Sequence, residues 1–384
     1  MLKTSIIKWD EIGAKAEISA FMPQEGVEEI HAIVHVESRC ELFEGQMNRI
    51  CMAEERLLDS DGMKDARIVF KRYFLSDSTN QQPLMRHEEG VAVSYIQQPP
   101  LDGSKIAVWI YCVRGAETEF DGESAHVVHN GYRHIWTMGL VNDDAVNEKS
   151  SYMQTWNVML RYIDILKRNG ATLEANCVRT WFFVRDVDTQ YGGLVKSRRE
   201  CFAEQGLTQH SHYISSTGIG GNPADPNALI QLGCYALTGF AAEQQRYLYA
   251  LSHLNRTIEY GVTFERGTLM EYGDRGHAFI SGTASINNKG EVVHVGNIVK
   301  QTERMWENVE MLLKEAGMCY DDVMQIIVYL RDTADYGIVS RMFEEKFPHT
   351  PYVITLAPVC RPTWLIEMEC IAVNERCNAQ FRNF

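Results

Sequence analysis

The 384-residue chain has no run of about 18 apolar residues, the length a helix needs to cross a bilayer. Its opening stretch, MLKTSIIKWDEIG, holds too short an apolar core for a secretory leader. A cytoplasmic protein with no membrane partner is therefore expected. A CxxC pair is also missing. The ten cysteines are scattered, mostly within apolar runs such as residues 109–113 and 368–373, as suits reduced, buried thiols better than a disulfide frame. Basic clusters are absent too. Lys and Arg number 37 against 51 Asp and Glu, a net charge of −14 that repels phosphate backbones, so nucleic acid is not an expected partner. The tract Ser216-Thr-Gly-Ile-Gly-Gly221 lacks the Lys-Ser/Thr of a P-loop and the full dinucleotide fingerprint; it reads as a turn lining a cleft. His126, His129 and His134 cluster loosely, and His210 and His212 alternate on a presumed strand. Neither group has metal-ligand spacing, so neither metal nor cofactor is expected.

What the chain does contain is repetition. Three stretches open on Gln46, Gln154 and Gln301, and in each a glycine (Gly62, Gly170, Gly317) follows 16 positions later. A closing aspartate (Asp77, Asp186, Asp332) follows that glycine by 15, 16 and 15 positions. Met305, Val309, Leu312 and Leu313 recur at helical period, as do Val158, Tyr162, Ile165 and Leu166. The glycines then stand where a helix needs a left-handed terminal residue, and β-branched or aromatic strands follow at 68–75, 177–184 and 323–330. A second helix fits after Asp186 (191–204) and after Asp332 (336–347). Only 13 residues separate Asp77 from the next strand, so the first copy is expected to have lost that helix. The repeats are placed at 1–120, 121–255 and 256–384, with a soft second junction because 239–256 is helical in pattern.

The third copy, from Gly296 to Val373, resembles Rid (YjgF-like) proteins throughout: a Gln-Thr helix, a strand ending VYLRD, a helix ending EEKFP and a last strand LIEMECIAV. That resemblance implies an α+β fold of three Rid-like (chorismate-mutase-like) repeats. Each would be a mixed β-sheet with one or two helices on one face, and together they would form a pseudo-trimer with sites in the clefts between repeats. A monomer of this kind, or a weak homo-oligomer of it, is expected. The chain departs from the family's deaminases, which carry a carboxylate-binding Arg two positions after a proline; here Pro351 is followed by Tyr352 and Val353. The Asn usual in the second helix is Ser340. A longer ordered set is similar to the chorismatases, Rid-related enzymes that split chorismate into pyruvate and a hydroxybenzoate or dihydroxy acid. It comprises Arg179-Thr-Trp181, Tyr191 to Arg198 with Phe202, Ser216 to Gly220, Phe264-Glu-Arg266, Ser281 to Ile286, His294 to Asn297, Cys360-Arg361 and Leu365 to Glu367. The segment Ile258 to Val262 departs from the chorismatase pattern. Gly267 and Cys360 stand where chorismatase subtypes differ and hint at a 3-hydroxybenzoate-type pocket.

In a strand Glu367 and Glu369 share one face, roughly 7 Å apart. In a cleft their repulsion and burial would keep one protonated at neutral pH, as proton donation to an enol ether carbon requires. Glu367 is the candidate acid. A carboxylate substrate calls for cationic clamps, for which Arg266, Arg198 and Arg361 are the candidates. Gly282 and Thr283 lie in a small-residue strand end that lets a ligand approach the backbone, and Cys360 reads as a pocket-lining thiol. The expected ligand is a small carboxylate metabolite. Three readings follow: cleavage of an enolpyruvyl ether, enamine or imine hydrolysis of the Rid deaminase type, and metabolite binding without catalysis.

Overall fold

The computed structural model describes residues 1–38 and 40–384, with Tyr260 described by its backbone alone. Three mixed sheets follow one another along the chain. The first orders its strands Leu2–Trp9, Ala14–Phe21, Glu28–Val36, Ile106–Arg114, Arg67–Leu75 and Ala92–Gln97, and borrows the two-residue strand Asn222–Pro223 at its edge. The second runs Ser215–Gly220, Cys177–Val184, Ile230–Thr238, Tyr132–Val141, Ser124–His129 and Glu117–Phe120. The third runs Gln245–Leu248, Gly267–Glu271, Gly276–Ala284, Ile366–Asn374, Val323–Leu330 and Tyr352–Leu356. In each sheet the strand leading to the closing aspartate pairs antiparallel to the last long strand and parallel to an edge strand.

The repeated glutamine has a structural purpose. Gln46, Gln154 and Gln301 are fully buried in the first turn or so of the long helices Phe43–Asp59, Ser151–Arg168 and Ile298–Glu315. Each Oε1 accepts from the backbone N–H just before the last long strand: Lys105 at 2.7 Å, Leu229 at 2.7 Å and Leu365 at 2.9 Å. A buried donor that would otherwise lack a partner is thus satisfied, and the helix is pinned at a fixed height on its sheet. Asn297 and Ser150 cap two of these helices through their side chains. Gly170 and Gly317 take the left-handed conformation expected of them, at φ 68° and 74°. Gly62 does not. The first helix stops at Asp59, and Asp65 rather than Gly62 has positive φ.

The inner faces of the three sheets meet around Trp109, Trp136, Trp181, Tyr235 and Phe279, with Trp136 and Tyr235 stacked at 4.2 Å. The first repeat's second helix has shrunk to one turn, Ser78–Gln81. The other two are kept at Val187–Glu204 and Tyr336–Lys346. Three local expectations are corrected. Residues 239–256 form a short strand, Gln245–Leu248, with turns instead of a helix, because pairing with Gly267–Glu271 outweighs the helical pattern. Of the tract 216–221, all but Gly221 lies in the strand Ser215–Gly220, drawn into parallel pairing with Cys177–Val184, and not in a turn. His210 and His212 lie in a loop tied by Thr208 and Ser211 rather than on a strand. None of the described helices is long and apolar enough to cross a membrane.

Candidate functional site

The edge strand of each repeat abuts the next repeat, which creates three seams. The register places equivalent positions at each. The residue three before the closing aspartate faces Ala107 in the first sheet, Gln231 in the second and Glu367 in the third. Only the third repeat therefore brings an acid to its seam at this position.

Glu367 lies in a crevice between the second and third repeats. Arg198 and Tyr191 enter it from the helix Val187–Glu204, and Ser216 and Gly218 from the strand Ser215–Gly220. The third repeat contributes Phe264, Arg266, Gly282, Cys360, Arg361 and Trp364. Glu367 is 5% exposed, and its carboxyl is pushed up to about 8. Burial is the main cause, the Glu369 charge adds to it, and Arg266 and Arg179 pull the other way. The strand is bulged between Ile280 and Thr283, and this places Gly282 against the acid. A Cβ on Gly282 would stand 2.1 Å from Glu367 Oε1, so glycine here makes room for the carboxyl group.

Glu369, two residues on, is fixed in the core. It accepts from Arg179 at 2.7 Å, from the Trp181 indole at 2.8 Å and from the Thr217 hydroxyl, and Arg72 reaches it at 3.4 Å. Thr217 Oγ1 also accepts from the Gly282 N–H at 2.9 Å, which couples the buried network to the crevice wall. Arg266 is buried, donating to Asn255 Oδ1 at 3.2 Å and stacking over Phe264. Arg198 donates to Ser216 Oγ at 3.4 Å, and Arg361 lies over Trp364 at 5.0 Å. Burial pushes the Cys360 thiol up to about 12, with Glu367 adding to the effect, so it stays a neutral wall group at ordinary pH.

The structure thus brings together Glu367, Arg266, Arg198, Arg361, Gly282 and Cys360. Two other candidates stand off. Thr283 follows Gly282 on a strand, so its side chain turns away, is buried and donates to the Ser281 carbonyl. Gly267 packs against Leu248 and the Phe279 carbonyl behind the crevice. Tyr191, Ser216 and Trp364 escaped the sequence reading as site residues, although the first two lie in motifs it had marked. Val353 and Ser340 fall in a different cleft, between the third and first repeats. Among the described residues no group of three or more His, Cys, Asp or Glu is placed to hold a metal ion.

The seam between the first and second repeats is packed tight where the edge strand Ala92–Gln97 meets the second sheet. Gly139 presses on the Val93 carbonyl so tightly that a Cβ would lie 2.5 Å from it, and Gln231 donates to Ser94 at 2.6 Å.

Comparison with known proteins fits this architecture. The family model described as Endoribonuclease L-PSP matches residues 272–374. A RutC family protein of Pyrococcus abyssi is 36% identical over 100 residues, 25% of this chain and 78% of that protein. The 3-aminoacrylate deaminase RutC of Acinetobacter baylyi is 32% identical over 97 residues, covering 24% and 76%. The chain belongs to the Rid family. Its similarity to the 3-hydroxybenzoate synthase of Streptomyces hygroscopicus is longer: 27% identity over 216 residues, 51% of this chain and 63% of that enzyme's length. A chorismatase crystal structure superposes with a TM-score of 0.60 at 18% identity, over 79% of this chain and 92% of that one, so the three-repeat fold is shared.

Proposed function

We propose that the crevice between the second and third repeats cleaves an enolpyruvyl ether of a small cyclic carboxylate, with chorismate as the leading substrate. The observation that carries this reading is a buried glutamic acid that keeps its proton to about pH 8 within a ring of three arginines. The similarity to 3-hydroxybenzoate synthase supports it.

The acid delivers its proton to the terminal methylene carbon of the enol ether. The C=C pair forms the new C–H bond, and positive charge develops on the ether carbon, shared with its oxygen. Water adds to that carbon and returns a proton to the Glu367 carboxylate. The resulting hemiketal collapses: its hydroxyl proton passes to the ether oxygen, the bond from the hemiketal carbon to that oxygen breaks, and pyruvate and the ring alcohol leave. Arg266, Arg198 and Arg361 pair with substrate carboxylates, and Arg suits this because its planar fork matches both oxygens. The crevice encloses about 40 Å³, less than a cyclic carboxylate needs, so it must widen for a ring to enter.

Purified protein incubated with chorismate should release pyruvate, followed by a coupled assay, and Glu367→Gln should not. Absence of pyruvate with the wild-type protein would remove this reading. The Rid deaminase alternative draws support from the RutC relatives, but the position of that family's carboxylate-binding arginine is Val353 here, at the other open cleft. Ammonia release from an aminoacrylate-type substrate would promote it.

A further inference from the structure

The cleft between the third and first repeats is built from the same positions of the fold as the crevice around Glu367, with its charges inverted. Arg198 stands twelve positions after the closing aspartate of the second repeat; Glu344 stands twelve after that of the third. Arg266 directly precedes Gly267, which pairs through Ile280 and Cys370 to Ile326, six before Asp332. The same path in the first repeat runs from Lys71 through Ile110 and Ala32 to Ile18, so the counterpart of Arg266 is Glu17. In the loop before the last long strand, where the crevice has Arg361, this cleft has Asp102. Three arginines are answered by three carboxylates, and the acid Glu367 by Ala107.

We infer that this second cleft binds a small organic cation, a primary alkylammonium ion. Glu17 is anchored for such a role: it accepts from Lys15 at 2.7 Å and from the Tyr352 N–H at 3.1 Å, and it is buried. Asp102 spends Oδ1 on Ser104 and leaves Oδ2 toward His35 Nδ1, 4.0 Å away. Glu344 is exposed at the rim and has no ion-pair partner among the described residues. Between them sits His35, 7% exposed and lining the cavity, whose Nε2 makes no hydrogen bond and lies 3.8 Å from Glu17 Oε2. A buried ring nitrogen in such a setting is a group awaiting a partner.

The walls select the kind of cation. Val36, Pro100, Val353 and Ile354 are apolar and suit an alkyl chain, while the rings of Tyr336 and Tyr352 suit a positive head group. An ammonium offers three donors, which matches carboxylate oxygens arrayed on one side of a cavity. The space, about 130 Å³, is sufficient for a chain of a few carbons. Lys15 and His35 are the cationic or basic groups on the wall, and both face Glu17. Against the upward pull of burial, the charge of His35 and then that of Lys15 bring its carboxyl down to about 2, so Asp102 and Glu344 are the carboxylates left for a ligand. A carboxylate metabolite would meet Glu17, Asp102 and Glu344 where the other crevice presents arginines, and is excluded.

The inference does not depend on chorismate cleavage and has its own readout. Saturation-transfer NMR on the full-length protein at fixed ionic strength, with n-butylammonium as probe and butyrate as its anionic counterpart, should show saturable binding of the ammonium alone. Glu344→Gln, at an exposed position, should weaken that binding by about fivefold to tenfold. Asp102→Asn, which keeps the Oδ1 acceptor for Ser104, should do the same, and Glu344→Arg with Asp102→Asn should abolish it. Glu367→Gln should leave it unchanged. Absence of saturable ammonium binding, equal binding of butyrate, or affinity untouched by the Glu344 and Asp102 changes would overturn the assignment. So would loss of binding in Glu367→Gln.

Discussion

At the seam between the second and third repeats, Arg198, Arg266 and Arg361 surround a neutral Glu367; at the seam between the third and first, Glu344, Glu17 and Asp102 occupy the corresponding places and Ala107 replaces the acid. The first seam differs from both, because Gly139 and Gln231 lock it to the neighbouring strand. The two clefts lined by a second helix share their backbone geometry, and the first seam lacks that helix. All three use an edge strand against the next repeat, and two of them a second helix. A handful of side chains at equivalent register sets the sign of charge in the two clefts that have a second helix.

The sharpest way to break the comparison is to remove the acid. Glu367→Gln should lower kcat for pyruvate release by about 10²–10⁴-fold while leaving substrate affinity near the wild-type value. Gly282→Ala comes next. Its Cβ would intrude on the Glu367 carboxyl, and displacement of a reacting group by about 1 Å costs about a hundredfold in turnover. Arg266→Glu would make the crevice resemble its charge-inverted counterpart and should raise KM well over tenfold, whereas Arg266→Lys should recover part of that loss.

At the tightly packed seam, Gly139→Ala should leave both open clefts intact and cost about 1–3 kcal/mol of stability, read from urea midpoints. The reason is that φ at 73° and the Val93 carbonyl both oppose a Cβ.

The buried acid also imposes a pH dependence. The native state holds the Glu367 proton to about 8, whereas the free side chain releases it near 4.5. The raised value contributes stability that is complete below pH 4.5 and lost as pH rises toward 8, with no further loss above. Urea midpoints at pH 5 and pH 8 should therefore fall further for the wild type than for Glu367→Gln. Activity should decline along a limb centred near pH 8 as the acid ionises.

The repeats were legible because their markers act locally. Gln46, Gln154 and Gln301 each close one hydrogen bond to a strand start, and Gly170 and Gly317 each end one helix, so selection for these contacts leaves a fixed spacing. Gly62 mimicked that spacing without the conformation, since the helix before it ends early. Residues 239–256 misled for the opposite reason: their helical periodicity is real, but a strand partner supplied by Gly267–Glu271 outweighs it.

Motif order picked out Glu367 and the three arginines that line the crevice, and alternation in a strand set Glu367 and Met368 on opposite faces. Thr283 and Gly267 could not be sorted from Gly282 by sequence, because a bulge between Ile280 and Thr283 sets which of these neighbours meets Glu367. Nor could the motifs show that Arg198 and Arg266, from different repeats, share one wall, or that Val353 belongs to another cleft.

What the chain's residue order determined by itself was the unit: one helix-and-strand block written three times, with an acid in the last copy. Periodicity, capping and turn chemistry act over a few residues, and so they survive in a one-dimensional reading. The tertiary structure alone decided which repeats face each other, and with that the sign of charge in each seam. A cleft is made by residues far apart in the chain, and its electrostatics depend on distances that no spacing along the chain specifies.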